Sequence, residues 1–228
     1  MVRIGFYFLP LVMTSSVLLM SYLAPGVSSL AKKKTSYTFL AWVLVWVIYL
    51  SLLSRYGMLD DFGFPPRVPL LIIIPAMVCI FLFVTRSYTR QVVRSTPKAV
   101  PVYVQSFRVV VELLIYGAYL QGTFPEAVTF EGTNFDILVG ISAPFIAFLH
   151  QKNKISTKGL LVWNICSLSV LALTAYSFIA AFYIHGVATW SNRDEFVQLP
   201  YLLLAGTLLP FAIFYHVISI RQALADKK

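Results

Sequence analysis

The chain has 228 residues, of which 59% are hydrophobic and 12% charged, and its formal net charge at pH 7 is +9. With a mean hydropathy of +0.79, this composition excludes an ordinary soluble domain and is typical of a protein that crosses a membrane several times. The cations lie in short tracts between apolar segments, and no basic domain is long enough to bind nucleic acid. We therefore expect one all-α membrane domain over residues 1–228, with the lipid bilayer as its partner.

Seven apolar segments reach or approach the roughly 20 residues that a membrane-spanning helix needs. They lie at about 4–24, 38–54, 68–85, 99–120, 135–149, 159–184 and 199–220. The first follows Arg3 in the manner of a signal peptide, but small residues at a cleavage site are lacking. We interpret it as an uncleaved helix, so the sequence predicts a seven-helix transmembrane bundle.

Lysine and arginine are distributed unequally over the alternate loops of this bundle. One set of loops and ends carries thirteen: Lys32, Lys33, Lys34, Arg86, Arg90, Arg94, Lys98, Lys152, Lys154, Lys158, Arg221, Lys227 and Lys228. The other set carries four: Arg3, Arg55, Arg67 and Arg193. Because cations accumulate in cytoplasmic loops, this asymmetry predicts an N-terminus outside and a C-terminus in the cytoplasm.

Two segments of the sequence align with each other at one offset. Three pairs of residues are each separated by 135 positions: Pro65 and Pro200, Pro75 and Pro210, and Arg86 and Arg221. They suggest a 3+1+3 parallel repeat, with halves 1–90 and 135–222 and a linker helix 99–120, an architecture found in transporters. This arrangement resembles that of the SWEET sugar transporters, although their Pro-Gln or Pro-Asn signature is absent. A chance alignment of prolines, which are common in membrane helices, is the alternative.

The fourth apolar segment carries an arginine and a glutamate one turn apart. A charged side chain inside a bilayer costs at least about 2.5–3.5 kcal/mol, so we expect Arg108 and Glu112 to neutralise each other and to face protein or trapped water. Gln105 lies on the same helix face. Asn164 and His216 fall in the inner halves of the last two segments, so these five side chains are the candidate ligand-binding residues.

Other polar segments are predicted to lie outside the membrane. Glu131 and Asp136 are assigned to an acidic outer mouth, and the loop 121–136 that carries them either folds back on the bundle or simply connects two helices. The basic tract 86–94 is interpreted as an anchor to anionic lipid headgroups in preference to a docking site for a protein.

Sequence motifs give little support to catalysis. No His-Glu-x-x-His zinc motif and no Gly-x-Ser-x-Gly nucleophile motif occurs. Cys79 and Cys166 both lie in apolar segments, without the spacing of a disulfide or a metal site. We therefore expect no metal and no cofactor, and we rank an enzyme below a non-enzyme.

Three functions are compatible with these residues. The favoured one is binding or translocation of a small solute or ion through a polar cavity around Arg108 and Glu112. The second is an intramembrane enzyme that acts on a lipid-like substrate with Glu112 and His216 as acid and base. The third is a membrane sensor or scaffold without turnover.

Four sequence segments resemble uncharacterised multi-pass inner-membrane proteins of Bacteroidota. They are QSFRVVVELLIYG, TFEGTNFDILVG, WNICSL and FYHVISIRQAL. The resemblance runs from about Phe62 to Arg221. It implies a seven-helix protein in a bacterial inner membrane, but no activity, and so it assigns no functional residue.

Overall fold

The computed structural model describes residues 1–184 and 193–225, and all regular structure in that part of the chain is helical. The predicted all-α class is therefore confirmed. Lys227 and Lys228 and the side chain of Arg193, three of the cations counted in the topology prediction, lie outside the described residues. The α-helices are α1 Val2–Leu23, α2 Ser29–Arg55, α3 Ile74–Thr85, α4 Ser87–Ser95, α5 Ala99–Val104, α6 Phe107–Leu120, α7 Asp136–Gln151, α8 Thr157–Ile179 and α9 Leu209–Ala225.

Wider turns of π-helix extend three of these helices. One precedes α3, one follows α8 and one precedes α9, at Pro69–Ile73, Ala180–Ile184 and Leu204–Leu208 respectively. The first and third are separated by 135 residues, the offset found in the sequence, and they pack against each other. Both also follow a cis X-Pro bond, Phe64–Pro65 and Leu199–Pro200.

Five helices are long and apolar enough to cross a membrane. They are Val2–Leu23, Ser29–Arg55, Ala99–Leu120, Thr157–Ile184 and Leu204–Ala225. A sixth span exists if Pro69–Thr85 and Ser87–Ser95, which meet at a bend of 79°, count as one. The predicted fifth segment, 135–149, forms the 16-residue helix α7, which is shorter than the helices long enough to span. The helices therefore indicate an integral membrane protein, whereas seven spans and their orientation remain a prediction.

The bundle has two chemically different ends, which we call the acidic end and the basic end. At the acidic end, Arg3 at the start of α1 forms an ion pair of 3.0 Å with Glu195. At the basic end, the amide of Gln222 in α9 donates to the backbone oxygens of Val93 and Thr96, at 2.7 and 2.6 Å. The acidic end comprises residues 56–68, 121–135 and 193–203, and the basic end comprises residues 24–34, 85–98 and 151–158.

Burial distinguishes central from peripheral helices. In the most apolar stretch of Leu204–Ala225, 67% of the residues are buried, against 17% in Ser29–Arg55. The span that ends in α9 is therefore central, and α2 lies at the edge, with apolar side chains such as Leu44, Val45 and Ile48 exposed. A helix that is apolar on every side suits this place, because lipid covers the face that protein does not.

The first π-turn depends on a hydrogen bond from α2. Pro75 has no N–H, so the bond that an uninterrupted α-helix would form to the carbonyl of Leu71 is missing. The hydroxyl of Tyr49 donates to this Leu71 oxygen at 2.7 Å. A side chain of α2 therefore replaces the backbone donor that the proline removes.

The second π-turn is supported in the same way. Pro210 cannot donate to the carbonyl of Gly206 four residues earlier, and the indole N–H of Trp46 donates to that oxygen at 2.6 Å. Trp46 and Tyr49 are one helical turn apart, and their ring centroids are 5.3 Å apart. One short stretch of α2 thus serves both proline-bearing segments.

Candidate functional site

The fourth apolar segment is interrupted where its polar residues begin. Helix α5 ends at Val104 and α6 begins at Phe107, with a turn between them at Gln105 and Ser106. The side-chain amide of Gln105 donates to the backbone oxygen of Ala212 in α9 at 2.9 Å. Gln105 therefore fixes the broken helix to the central one, away from the charged groups.

Arg108 lies in the first turn of α6, and 1% of its surface is exposed. Its Nε donates to Oδ2 of Asp136 at 2.6 Å, and its Nη2 pairs with the other carboxylate oxygen of Asp136. The remaining nitrogen, Nη1, lies 3.2 Å from Nε2 of His216. This two-point contact with a carboxylate is the strongest geometry available to an arginine.

The hydrogen bonds of His216 define its protonation state. A guanidinium has only donors, so Nε2 of His216 must accept from Arg108. The ring is therefore neutral and carries its proton on Nδ1, which lies 2.8 Å from the side-chain oxygen of Asn164. The amide of Asn164 in turn donates to Ser219 Oγ at 2.8 Å. A continuous chain of polar contacts thus connects α6, α8 and α9.

Glu112 is one turn above Arg108 and is equally buried. Its Oε2 accepts from the side-chain amide of Asn134 at 2.8 Å. The oxygen of that amide accepts from Thr174 Oγ1 at 2.7 Å and from the backbone N–H of Asp136 at 3.0 Å. The other carboxylate oxygen, Oε1 of Glu112, has no hydrogen-bond partner within residues 1–184 and 193–225.

A glycine allows α7 to reach Arg108. A Cβ atom added to Gly140 would lie 2.7 Å from the backbone nitrogen of Val109 and 3.2 Å from the carbonyl carbon of Arg108. These separations are too short for a side chain, so the backbones of α6 and α7 are in direct contact here. Asp136, one turn before Gly140, is thereby positioned beside the guanidinium.

Two placements differ from the sequence predictions. Asp136, assigned to the outer mouth, is 3% exposed and pairs with Arg108. Arg108 accordingly has Asp136 as its ion-pair partner, and Glu112 is hydrogen-bonded to Asn134 instead. Glu131, the other residue of the predicted mouth, does lie at the acidic end, where it accepts from the hydroxyl of Tyr116 at 2.9 Å.

The cause of both differences is the path of loop 121–135. The loop turns back into the bundle, packs against α6 and α8, and buries Asn134 completely. Of the two alternatives for this loop, folding back is the one observed. Sequence analysis missed Asn134, although an Asn just before a helix often accepts the backbone N–H two residues on in an Asx turn, as Asn134 does from Asp136.

The predicted ligand-binding residues are thus brought together only in part. Arg108, His216 and Asn164 form one chain of contacts, and Glu112 joins it through Asn134. Gln105 is directed to the backbone of α9. Their role in binding a ligand stays a prediction.

A cavity of about 70 Å³ adjoins these groups. One water molecule needs roughly 10–15 Å³ of such space. Arg108, Glu112, Asp136 and Thr174 border the cavity on one side, and apolar residues, including members of the π-turns Pro69–Ile73 and Leu204–Leu208, form the rest of its wall. The described residues contain no group of three or more His, Cys, Asp or Glu that could hold a metal ion.

Comparisons with known proteins add no relatives. No protein-family model, no curated protein and no solved structure matches the sequence. The function is therefore inferred from the geometry of this buried polar network and its cavity.

Proposed function

We propose that this chain is a multi-pass protein of a bacterial inner membrane that binds a small solute or ion beside Glu112 and carries it across the bilayer. One observation carries the proposal: Glu112 borders a cavity, and one of its buried carboxylate oxygens, Oε1, has no hydrogen-bond partner among the described residues. A buried acceptor without a partner is destabilising by roughly 1–3 kcal/mol, and more when it is charged. A ligand bound at Glu112 Oε1 would supply the missing partner, which is why this oxygen indicates a binding site.

Charge balance narrows the class of ligand. Arg108 and Asp136 cancel each other, and His216 is neutral because it accepts from Arg108. An ionised Glu112 therefore leaves the network with one uncompensated negative charge in a region without bulk water. A proton, a small monovalent cation or the cationic group of a small solute would neutralise it.

The architecture supports the transport class. The two π-turns that line the cavity repeat at the 135-residue offset of the sequence, and they meet each other in the bundle. Sites at the interface of parallel repeats, next to interrupted helices, are characteristic of secondary transporters. The proposal includes the 3+1+3 topology with the N-terminus outside, and membership of the Bacteroidota family that the sequence resembles.

Proton flux into proteoliposomes tests this function. The full-length protein is reconstituted with a pH-sensitive dye inside the vesicles, and a potassium diffusion potential drives cations inward. Wild type should acidify the lumen if it carries protons. In parallel vesicles under the same inward driving force, it should take up sodium or rubidium if it carries one of those cations instead. Glu112→Gln should reduce the flux at least tenfold, whereas Glu126→Gln, a matched change at an exposed position of the acidic end, should leave it unchanged.

A specific observation favours the scaffold as the second candidate. Both carboxylate oxygens of Asp136 face Arg108, and 1% of the Arg108 surface is exposed, so the core in this structure is closed and largely paired. Folded wild type that gives no flux above empty vesicles with any of these cations would contradict the transport proposal and leave the scaffold. The enzyme alternative loses its predicted acid–base pair, because His216 contacts Arg108 and Asn164 while Glu112 contacts Asn134.

A further inference from the structure

A second, larger recess lies on the other side of the bundle from the charged network. It is a groove of about 360 Å³ between α2, α3 and α9 with almost entirely apolar walls. Its wall is rich in aromatic rings, contributed by Phe39, Trp42, Trp46, Phe83, Phe211 and Phe214. Because α2 is a peripheral helix, this groove belongs to the surface that lipid covers.

One end of the groove coincides with the basic end of the bundle. The ring of Phe83, three residues before Arg86, lies 5.6 Å from the ring of Phe39 on α2 and 6.0 Å from that of Phe214 on α9. These three rings close the groove just before α3 ends at Thr85. An acyl chain in the groove would therefore have its polar end next to the junction of α3 and α4.

Helix α4 crosses this junction and is amphipathic. It bends by 79° from α3, and the hydroxyl of Tyr88 in its first turn lies 3.2 Å from Thr38 Oγ1 on α2. Val92 and Val93 are buried, while its arginines are exposed. Its apolar face packs against α2 and α9, so the exposed cationic face is the part of α4 that can meet lipid headgroups.

Cations from two elements flank the end of the groove. Arg86 precedes α4 directly, and Lys34 on α2 is one turn before Thr38 and two turns before Trp42, so these three residues share a helix face. Both cations are exposed. The sequence has no Asp or Glu in 1–59, in 62–111 or in α9, so among the described residues the segments that form this region supply no carboxylate to neutralise them.

We propose that the groove is a binding site for one anionic glycerophospholipid. An acyl chain lies along the aromatic wall, and the phosphate is bound by Arg86 and Lys34. Charge complementarity selects this occupant: an apolar groove alone would accept any lipid, whereas two unneutralised cations at its end favour a headgroup with net negative charge. The site is separate from Glu112 and does not depend on the transport proposal.

Quenching of tryptophan fluorescence by brominated lipids tests the site in the full-length protein. Brominated phosphatidylglycerol and brominated phosphatidylcholine are compared at equal mole fraction in nanodiscs. We expect quenching by the anionic lipid to be at least threefold more effective at low mole fraction. Trp42 and Trp46 both line the groove, so Trp42→Phe should reduce this difference. Trp163→Phe should preserve it, because the Trp163 ring packs 5.8 Å from that of His216, outside the groove.

Charge variants identify the headgroup contacts. The double variant Arg86→Gln with Lys34→Gln should reduce the lipid preference to about equal, while Lys152→Gln with Lys158→Gln, the same loss of charge elsewhere at the basic end, should keep it. Equal quenching by the two lipids in wild type would overturn the proposal, and that comparison requires no variant. Equal loss of preference in both double variants would also overturn it, because the cause would then be general surface charge.

Discussion

The two proline-bearing segments, 64–86 and 199–221, share several backbone features but occupy different places in the bundle. Each contains a π-turn and a proline two residues after that turn. The difference is clearest at two positions that are 135 apart: Phe81 is 65% exposed, whereas His216 is fully buried against Arg108. The two segments thus share features of the backbone, whereas the hydrogen bonds to Arg108 and Asn164 come from the second segment alone.

The comparison indicates why the polar network lies on the second segment and not on the first. Ser219, which bonds Asn164, corresponds in the same register to Val84 of the first segment. A polar network requires neighbours on every side, and only the central segment is surrounded by α5, α6 and α8. In the first segment Phe81 is exposed and Val84 is buried in the apolar core, so a polar side chain at either position would be destabilising.

The largest effect is expected at the ion pair that the central segment supports. Asp136→Leu leaves Arg108 buried without its counter-ion and should lower the free energy of unfolding by about 3–5 kcal/mol. Unfolding in mixed micelles measures this loss. The double variant with Arg108→Met should recover most of it, because an apolar pair needs no compensation. A loss no larger than that of Glu112→Gln would contradict the assignment of Asp136 as the partner.

Exchanging the residue of one segment for that of the other sharpens the comparison. His216→Phe installs the side chain found at position 81 and removes the acceptor of Arg108 Nη1 and the donor to Asn164. We expect a loss of about 2–4 kcal/mol in the same unfolding assay, since each unsatisfied group contributes roughly 1–3. Phe81→Leu on the exposed face should change stability by about 0.5 kcal/mol or less. Similar losses at both positions would refute the asymmetry.

Smaller effects should reveal what the segments share. Tyr49→Phe removes the donor to Leu71 and should lower the free energy of unfolding by about 1 kcal/mol. Pro75→Ala restores a backbone N–H near that oxygen, so in the Tyr49→Phe background it should be less destabilising than alone. Tyr37→Phe, at an exposed site on the same helix, is the control. Additive losses in the double-variant cycle would show that the proline and the tyrosine are not coupled.

The smallest effect is expected at Asp61, just before the first segment begins. The backbone N–H of Gly63 and the nearby Arg67 guanidinium lower the pKa of Asp61 below its usual value. Because the folded-state pKa is the lower one, its stabilising effect is present above the unfolded pKa of about 3.9 and is lost as the pH falls through the folded pKa. Tm measured from pH 7 to pH 3 should therefore fall slightly more for wild type than for Asp61→Asn. Parallel curves would exclude a contribution from this exposed pair.

Helical class and the identity of the polar residues were accessible from sequence, because both follow from local chemistry. Hydropathy located all five long spans, and the free-energy cost of a charge in lipid identified Arg108 and Glu112 as candidate site residues. Hydropathy did not reveal how the remaining two segments depart from a straight span: the third begins with a π-turn and is followed by a bend at Arg86, and the fifth, Asp136–Gln151, has only 16 residues.

The partner of Arg108 could not be predicted by the same means. Sequence spacing favours contacts one helical turn apart, whereas Asp136 reaches Arg108 from a different helix, 28 residues along the chain. The contact depends on a polar loop that enters the bundle, and hydropathy alone assigns such a loop to water. Asn134 resolves the contradiction by hydrogen-bonding Glu112, Thr174 and the first N–H of α7.

The missing side chain at Gly140 has a mechanical consequence. Where two helix backbones are in contact, no flexible side chains lie between them that could rearrange as the helices slide. We therefore expect helices α6 and α7, with Arg108 and Asp136 between them, to move together as one rigid unit. On the opposite wall of the cavity each of the two π-turns receives one side-chain hydrogen bond from α2, so we expect this wall to move more easily than the contact between α6 and α7.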